Sequence, residues 1–181
     1  MGAMEVFATL EKREYSFSAH RDFIQLIVLS FLAFSIPFIF PGPQLLTGVI
    51  VNLFLVFAAL GMRGNNIFPV IMLPSLGALA NGLLFGPFTI FLAYMIPFIW
   101  IGNFFLVFGI KELLYKFKLG FGIAGVGATI LKAGAIFLPA YGLYLAGVVP
   151  EALLVPMGIL QVATALCAVI LVGVGKSILG K

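Results

Sequence analysis

Residues 88–118 read FTIFLAYMIPFIWIGNFFLVFGIKELLYKFK. The run 88–110 is apolar and unbroken by charge, and a helix needs about 20 such residues to cross a bilayer core. It ends on Lys111, Lys116 and Lys118, and a second apolar run, 119–140, follows at once. Two apolar helices joined by a short basic segment are the mark of two membrane spans linked on the side where lysine and arginine collect.

The same alternation extends in both directions. Apolar stretches cover roughly 23–40, 44–61, 67–84, 88–110, 119–140 and 152–175. Lys12, Arg13 and Arg21 precede the first, Arg63 separates the second and third, and Lys176 and Lys181 follow the sixth. The remaining gaps hold no lysine or arginine. Cytoplasmic loops are the enriched ones, so the sequence predicts an all-α integral membrane protein, a bundle of six transmembrane helices with both termini cytoplasmic. Short connections such as Pro41-Gly42-Pro43 and Phe85-Gly86-Pro87 make consecutive helices antiparallel neighbours.

Composition agrees. The chain is 63% hydrophobic and 9% charged, against about 25% charged in a soluble domain. Its net charge of +4 follows from topology and favours an anionic bilayer surface over nucleic acid. Residues 1–22 form a polar cytoplasmic or interfacial segment, with Phe7, Leu10, Glu14 and Phe17 at mixed helical spacing. It does not read as a signal peptide, because no small-residue cleavage site follows the apolar run. Residues 23–181 make up the transmembrane domain.

Prolines and polar residues single out one region. Pro74 and Pro97 fall mid-span, where a proline frees a backbone carbonyl that must find a donor or line a cavity. Gln44, Thr47, Gly48 and Asn52 share one helical face. Asn81 lies near the end of the third span. Tyr94, Pro97, Trp100 and Asn103 lie along the fourth, and Gln161 and Thr164 near the middle of the sixth. Lys132 is the only charge inside any span. A lysine at a helix centre costs about 2.5–3.5 kcal/mol, and no acid in the spans is available to pair with it. Two readings follow. Its ammonium climbs to the headgroups, or it awaits an anionic ligand in a pocket. Gln44, Thr47, Asn52, Asn81, Tyr94, Asn103, Lys132 and Gln161 are the candidate substrate-binding residues.

Several chemistries drop out. One histidine, His20, and one cysteine, Cys167, build no zinc or iron–sulfur centre. The spans hold no pair of carboxylates, no chain of proton-relaying acids and no phosphate-binding loop. A Ser75/Lys132 dyad has no local support. No cofactor and no enzymatic activity are expected.

The stretches Thr47-Gly48-Val49-Ile50-Val51-Asn52, Leu73-Pro74-Ser75-Leu76-Gly77-Ala78-Leu79, Gly82-Leu83-Leu84-Phe85-Gly86-Pro87, Tyr94-Met95-Ile96-Pro97-Phe98-Ile99 and Gly102-Asn103 resemble a branch of the substrate-binding S components of energy-coupling factor (ECF) importers. The resemblance covers about residues 41–110. It implies a prokaryotic plasma-membrane subunit that captures a vitamin-like or micronutrient compound. A transmembrane coupling subunit and cytoplasmic ATPase subunits would be its partners. Many S components carry Ala-x-x-x-Ala on the first span for docking. Here that span reads Leu29-Ser30-Phe31-Leu32-Ala33-Phe34-Ser35, so the small residues of spans one and three are the substitutes. A solitary carrier, a channel-forming oligomer and a non-catalytic membrane assembly factor are the alternatives.

Overall fold

The computed structural model describes residues 3–40, 42–62, 67–82 and 86–179, with side chains from His20 to Ile178. Among these residues all regular structure is helical: α1 (Ala3–Ile39), α2 (Gln44–Gly61), α3 (Phe68–Asn81), α4 (Leu92–Lys111), α5 (Phe121–Leu145), the short α6 (Leu154–Met157) and α7 (Ile159–Leu179). A 3-10 turn, Gly86–Phe91, leads into α4 and a π-helical turn, Glu112–Lys116, follows it. The expected link at residues 63–66 lies outside the described residues. So do Pro41, residues 83–85, Lys181 and the side chains of Lys12 and Arg13.

Five helical segments are long and apolar enough to cross a membrane: His20–Ile39, Gln44–Gly61, Gly86–Lys116, Phe121–Leu145 and Glu151–Ile178. These are the features of a multi-pass membrane protein. The expected third span differs. α3 has 14 residues, about 21 Å at 1.5 Å per residue, short of a core of about 30 Å. At the polar start, α1 runs unbroken for 37 residues, from Ala3 into the first span.

Contacts fix the helix directions. Gly77 meets the Phe34 backbone and Asn81 bonds Phe38, so α1 and α3 run parallel. Gly109 faces Ala128 while Gly102 faces Ile136, which makes α4 and α5 antiparallel. Gly125 faces Val169 while Gly158 faces Phe137, so α7 opposes α5. Lys111 Nζ donates to Met62 O, setting the ends of α2 and α4 at one level. Lys176 lies over the Phe121 ring, bringing the end of α7 to the start of α5. Arg21, Lys111, Lys116, Lys118 and Lys176 therefore share one face of the bundle with the start of the first span and the end of α7. That face is called the terminal face below. Glu151, in the α5–α6 connection, is on the far face.

The core divides into two apolar layers. Near the terminal face, Leu55, Val70, Leu106, Ile110, Ala128 and Val169 pack together. Near the far face, Ala78, Met95, Ile99, Ile136, Leu153 and Met157 do the same. The sequence order is the same on each helix. Asn103 falls between Ile99 and Leu106, Lys132 between Ala128 and Ile136, Ser75 between Ile71 and Ala78, and Gln161 and Thr164 between Met157 and Ala165. A polar layer thus separates the two cores.

Glycine permits the closest approach, between α1 and α3. A Cβ on Gly77 would meet the carbonyl of Phe34, which is backbone and cannot turn aside. Gly134 has open space where its Cβ would be. Gly77→Ala should therefore lower stability by about 1–3 kcal/mol through overpacking, measured by unfolding in detergent micelles. Gly134→Ala should be neutral or stabilise by up to about 1 kcal/mol. Equal effects at the two positions would contradict this packing.

Candidate functional site

The polar layer encloses a cavity of about 90 Å³, reached by residues from α1, α2, α3, α4, α5, α6 and α7. Gln44, Thr47 and Asn52 come from α2, Ser75 from α3, Asn103 from α4, Lys132 from α5, and Gln161 and Thr164 from α7. Ligand pockets usually measure about 300–1,000 Å³. This one has room for a few waters or a compact polar group.

Lys132 is its centre. The side chain is 2% exposed, and Nζ donates to Asn52 Oδ1 at 2.5 Å. It does not climb to a headgroup layer. The acceptor is forced: an ammonium only donates, so the amide oxygen of Asn52 must face it. The Asn52 amide nitrogen then points the other way and donates to Gly48 O at 2.9 Å and Thr164 Oγ1 at 3.0 Å. Thr164 Oγ1 passes its own proton to Leu160 O at 2.7 Å. Lysine, asparagine, threonine and a helix carbonyl form one directed chain of hydrogen bonds. Every partner in it is neutral. The ion pairs among the described residues, Arg21–Asp22 and Lys116–Glu112, do not involve Lys132. Glu151 is exposed in the α5–α6 connection.

Pro74 accounts for the α3 wall. It loosens the turn around it, and α4 supplies donors to that turn. Asn103 Nδ2 donates to Ile71 O at 2.9 Å, and the Trp100 indole donates to Met72 O at 3.2 Å and Ser75 Oγ at 2.8 Å. Ser75 Oγ in turn donates to Met72 O at 2.9 Å. The serine hydroxyl is thus committed to α3 and α4 and the lysine to α2, and no Ser/Lys hydrogen bond forms between them.

The α7 wall is built on a helix break. Gly158 adopts φ −110°, ψ −97° between α6 and α7. Pro156 O is taken up by the Gln161 side-chain amide at 3.2 Å. The N–H groups of Gln161 and Val162 both turn to Gly158 O. α7 therefore begins inside the bundle with Leu160, Gln161 and Thr164 on the cavity wall. A helix start carries a partial positive charge, and discontinuous membrane helices present such ends to anionic ligands.

Six of the candidate residues meet here: Gln44, Thr47, Asn52, Asn103, Lys132 and Gln161. Asn81 and Tyr94 do not. Asn81 is the last residue of α3, and its amide donates to Phe38 O at 2.6 Å, tying α3 to α1. Tyr94 is 55% exposed on the opposite side of α4 from the buried Leu92, Met95 and Ile99. Thr164 and Ser75 belong to the site and were not among the candidates. Thr164 stands three residues after Gln161, the helical spacing that signals a shared face. No group of three or more histidine, cysteine or carboxylate side chains able to hold a metal occurs among the described residues.

No protein-family model matches the chain, no curated protein matches it, and no solved structure matches it.

The hydrogen-bond chain predicts a coupling. Asn52→Leu leaves the buried ammonium without its acceptor and should lower stability by about 1.5–3 kcal/mol. Lys132→Met removes the buried charge but leaves Asn52 Oδ1 without its donor, so its effect should be smaller than that of Asn52→Leu. In the double variant most of the Asn52→Leu loss should disappear, as read from a double-mutant cycle of unfolding free energies. Simple additivity would mean that Lys132 and Asn52 do not depend on each other.

Proposed function

We propose that this chain is the substrate-binding membrane subunit of an ECF-type importer, and that it takes up a small compound carrying a carboxylate or phosphate. The observation that carries the reading is the Lys132 ammonium, buried at the cavity with only neutral partners. Burying a charge without a counter-charge is unfavourable, and an anion entering the cavity supplies the missing partner. The polar amides around it and the nearby start of α7 suit the same ligand. The cavity is small, so it receives the anionic end of the compound. The remainder is accommodated as the helices part toward the far face. The resemblance across residues 41–110 points to the same class of subunit.

A binding subunit is favoured over a pore by the apolar layer beneath the cavity. Leu55, Leu106, Ala128 and Ala165 are fully buried there, and among the described residues only the lone hydroxyl of Thr129 lies beside them on α5. In this reading the termini are cytoplasmic in a prokaryotic plasma membrane, since Arg21, Lys111, Lys116, Lys118 and Lys176 share the terminal face. A coupling subunit and its ATPases would then draw the compound inward. Ala33 and Ala78 are buried and Gly77 packs on the Phe34 backbone, so these small residues serve α1–α3 packing and docking would use another surface.

Two experiments test this. Protein purified from its native host should retain a small anionic molecule by native mass spectrometry and should copurify with a coupling subunit and ATPases. Lys132→Met should stay folded and bind the retained compound about tenfold more weakly or worse, the range of one charge-assisted hydrogen bond. Undiminished binding by that variant would rule out the anion-recognition role. For topology, cysteines placed at Lys118 and Gly147 should label from opposite sides of sealed vesicles. Labelling of both from one side would overturn the assignment.

A further inference from the structure

A second cleft lies at the terminal face, far from Lys132. It measures about 710 Å³ and opens between α1, α2 and α4, with Arg21, Gln25, Met62, Lys111 and Tyr115 on its walls. Two of these side chains are cationic, two can donate neutral hydrogen bonds, and none is a carboxylate. Glu112 pairs with Lys116 at 3.0 Å, and the one acid beside a cleft cation among the described ion pairs is Asp22, 3.6 Å from Arg21. Lys111 Nζ spends one proton on the carbonyl of Met62, the buried residue that follows α2, at 2.7 Å. That bond offsets the negative end of the helix beside the cleft. Two ammonium protons remain for another acceptor.

The depth of the cleft is also informative. Arg21 is the second residue of the span His20–Ile39, Gly61 is the last of its span, and Lys111 lies near the end of Gly86–Lys116. The cleft therefore opens where apolar helix surface gives way to polar chain. An open strip of α1 surface, lined by α1 alone, shares Arg21 and Gln25 with it and continues past Ile24 and Val28, both exposed apolar residues. A cationic pocket that runs into an apolar strip matches a phospholipid, with phosphate above and acyl chain below. A free phosphate would have no use for the strip.

We propose that this cleft is a binding site for an anionic phospholipid. Arg21 and Lys111 would hold the phosphate, Gln25 and Tyr115 the headgroup oxygens, and the Ile24/Val28 strip one acyl chain. The site is independent of the cavity at Lys132 and stands or falls separately from it.

The test is a titration of the delipidated full chain in detergent, followed by native mass spectrometry. The probes are phosphatidylglycerol, phosphatidylcholine and glycerol 3-phosphate. One phosphatidylglycerol should bind with about fivefold or greater preference over phosphatidylcholine, and Arg21→Gln should weaken it by about fivefold, the effect of one basic side chain near a lipid surface. Arg21 also faces the half-buried Asp22 carboxylate, so the double variant Arg21→Gln/Asp22→Asn is measured beside it and should show the same fivefold loss while keeping the parental melting temperature. Lys111→Gln should also lose the preference, and Lys111→Arg should restore it. Equal binding of the two lipids would overturn the proposal, as would an unaffected Arg21→Gln variant. Glycerol 3-phosphate binding as tightly as the lipid would also overturn it, by removing the role of the strip.

Discussion

The Lys132 ammonium and the Asn52 amide oxygen meet in the interior of the bundle, in a cavity lined by no carboxylate among the described residues. An asparagine oxygen is a good acceptor but leaves the charge in place. Much of the surrounding arrangement follows from this single constraint. Asn52 must turn its oxygen to α5, which sends its nitrogen to Gly48 and Thr164 and ties α2 to α7. The contact with Thr164 requires close approach, and a Cβ on Gly48 would stand 2.8 Å from the Thr164 methyl. The lysine therefore fixes the relative placement of three helices, and the cavity is the space that remains on its open side.

Around that point the bundle is layered. Two apolar cores hold the helices together, and the polar layer between them is where each helix departs from regularity. Pro74 removes one amide donor from α3, and Trp100 and Asn103 donate to the neighbouring carbonyls of Met72 and Ile71. Gly158 breaks the last span, and Gln161 satisfies Pro156 O. Within a membrane no water is at hand to repair such breaks, so side chains must do it. The irregular backbone and the polar side chains belong together for that reason.

The helical character and the run of spans were legible because bilayer thickness and loop charge act directly on composition. Lys132 stood out for the same reason: one charge in an apolar span needs no structure to be noticed. Gln44, Thr47 and Asn52 could be placed together because helical spacing puts them on one face. Tyr94 shows where such reasoning fails. Depth along a helix was readable, but the direction a side chain takes around it depends on which neighbours the helix finds, and α4 turns its buried stripe through Met95 and Ile99 instead. Asn81 was at a plausible depth but serves as a tie at the end of a helix that is shorter than its apolar run. The break at Gly158 was hidden because a glycine in an apolar span is common, and only the packing of Phe137 against it and the capture of Pro156 O make it a helix start.

The central claim is that the buried ammonium is completed by an anion. The most direct measurement is an experimental structure of the protein with its retained compound bound. An anion bound there places a carboxylate or phosphate oxygen about 2.7–2.9 Å from Lys132 Nζ, the range of a charge-assisted hydrogen bond, with Asn52 still holding Thr164. A compound bound elsewhere, with Lys132 still satisfied only by Asn52 or extended to the headgroups, would contradict the claim.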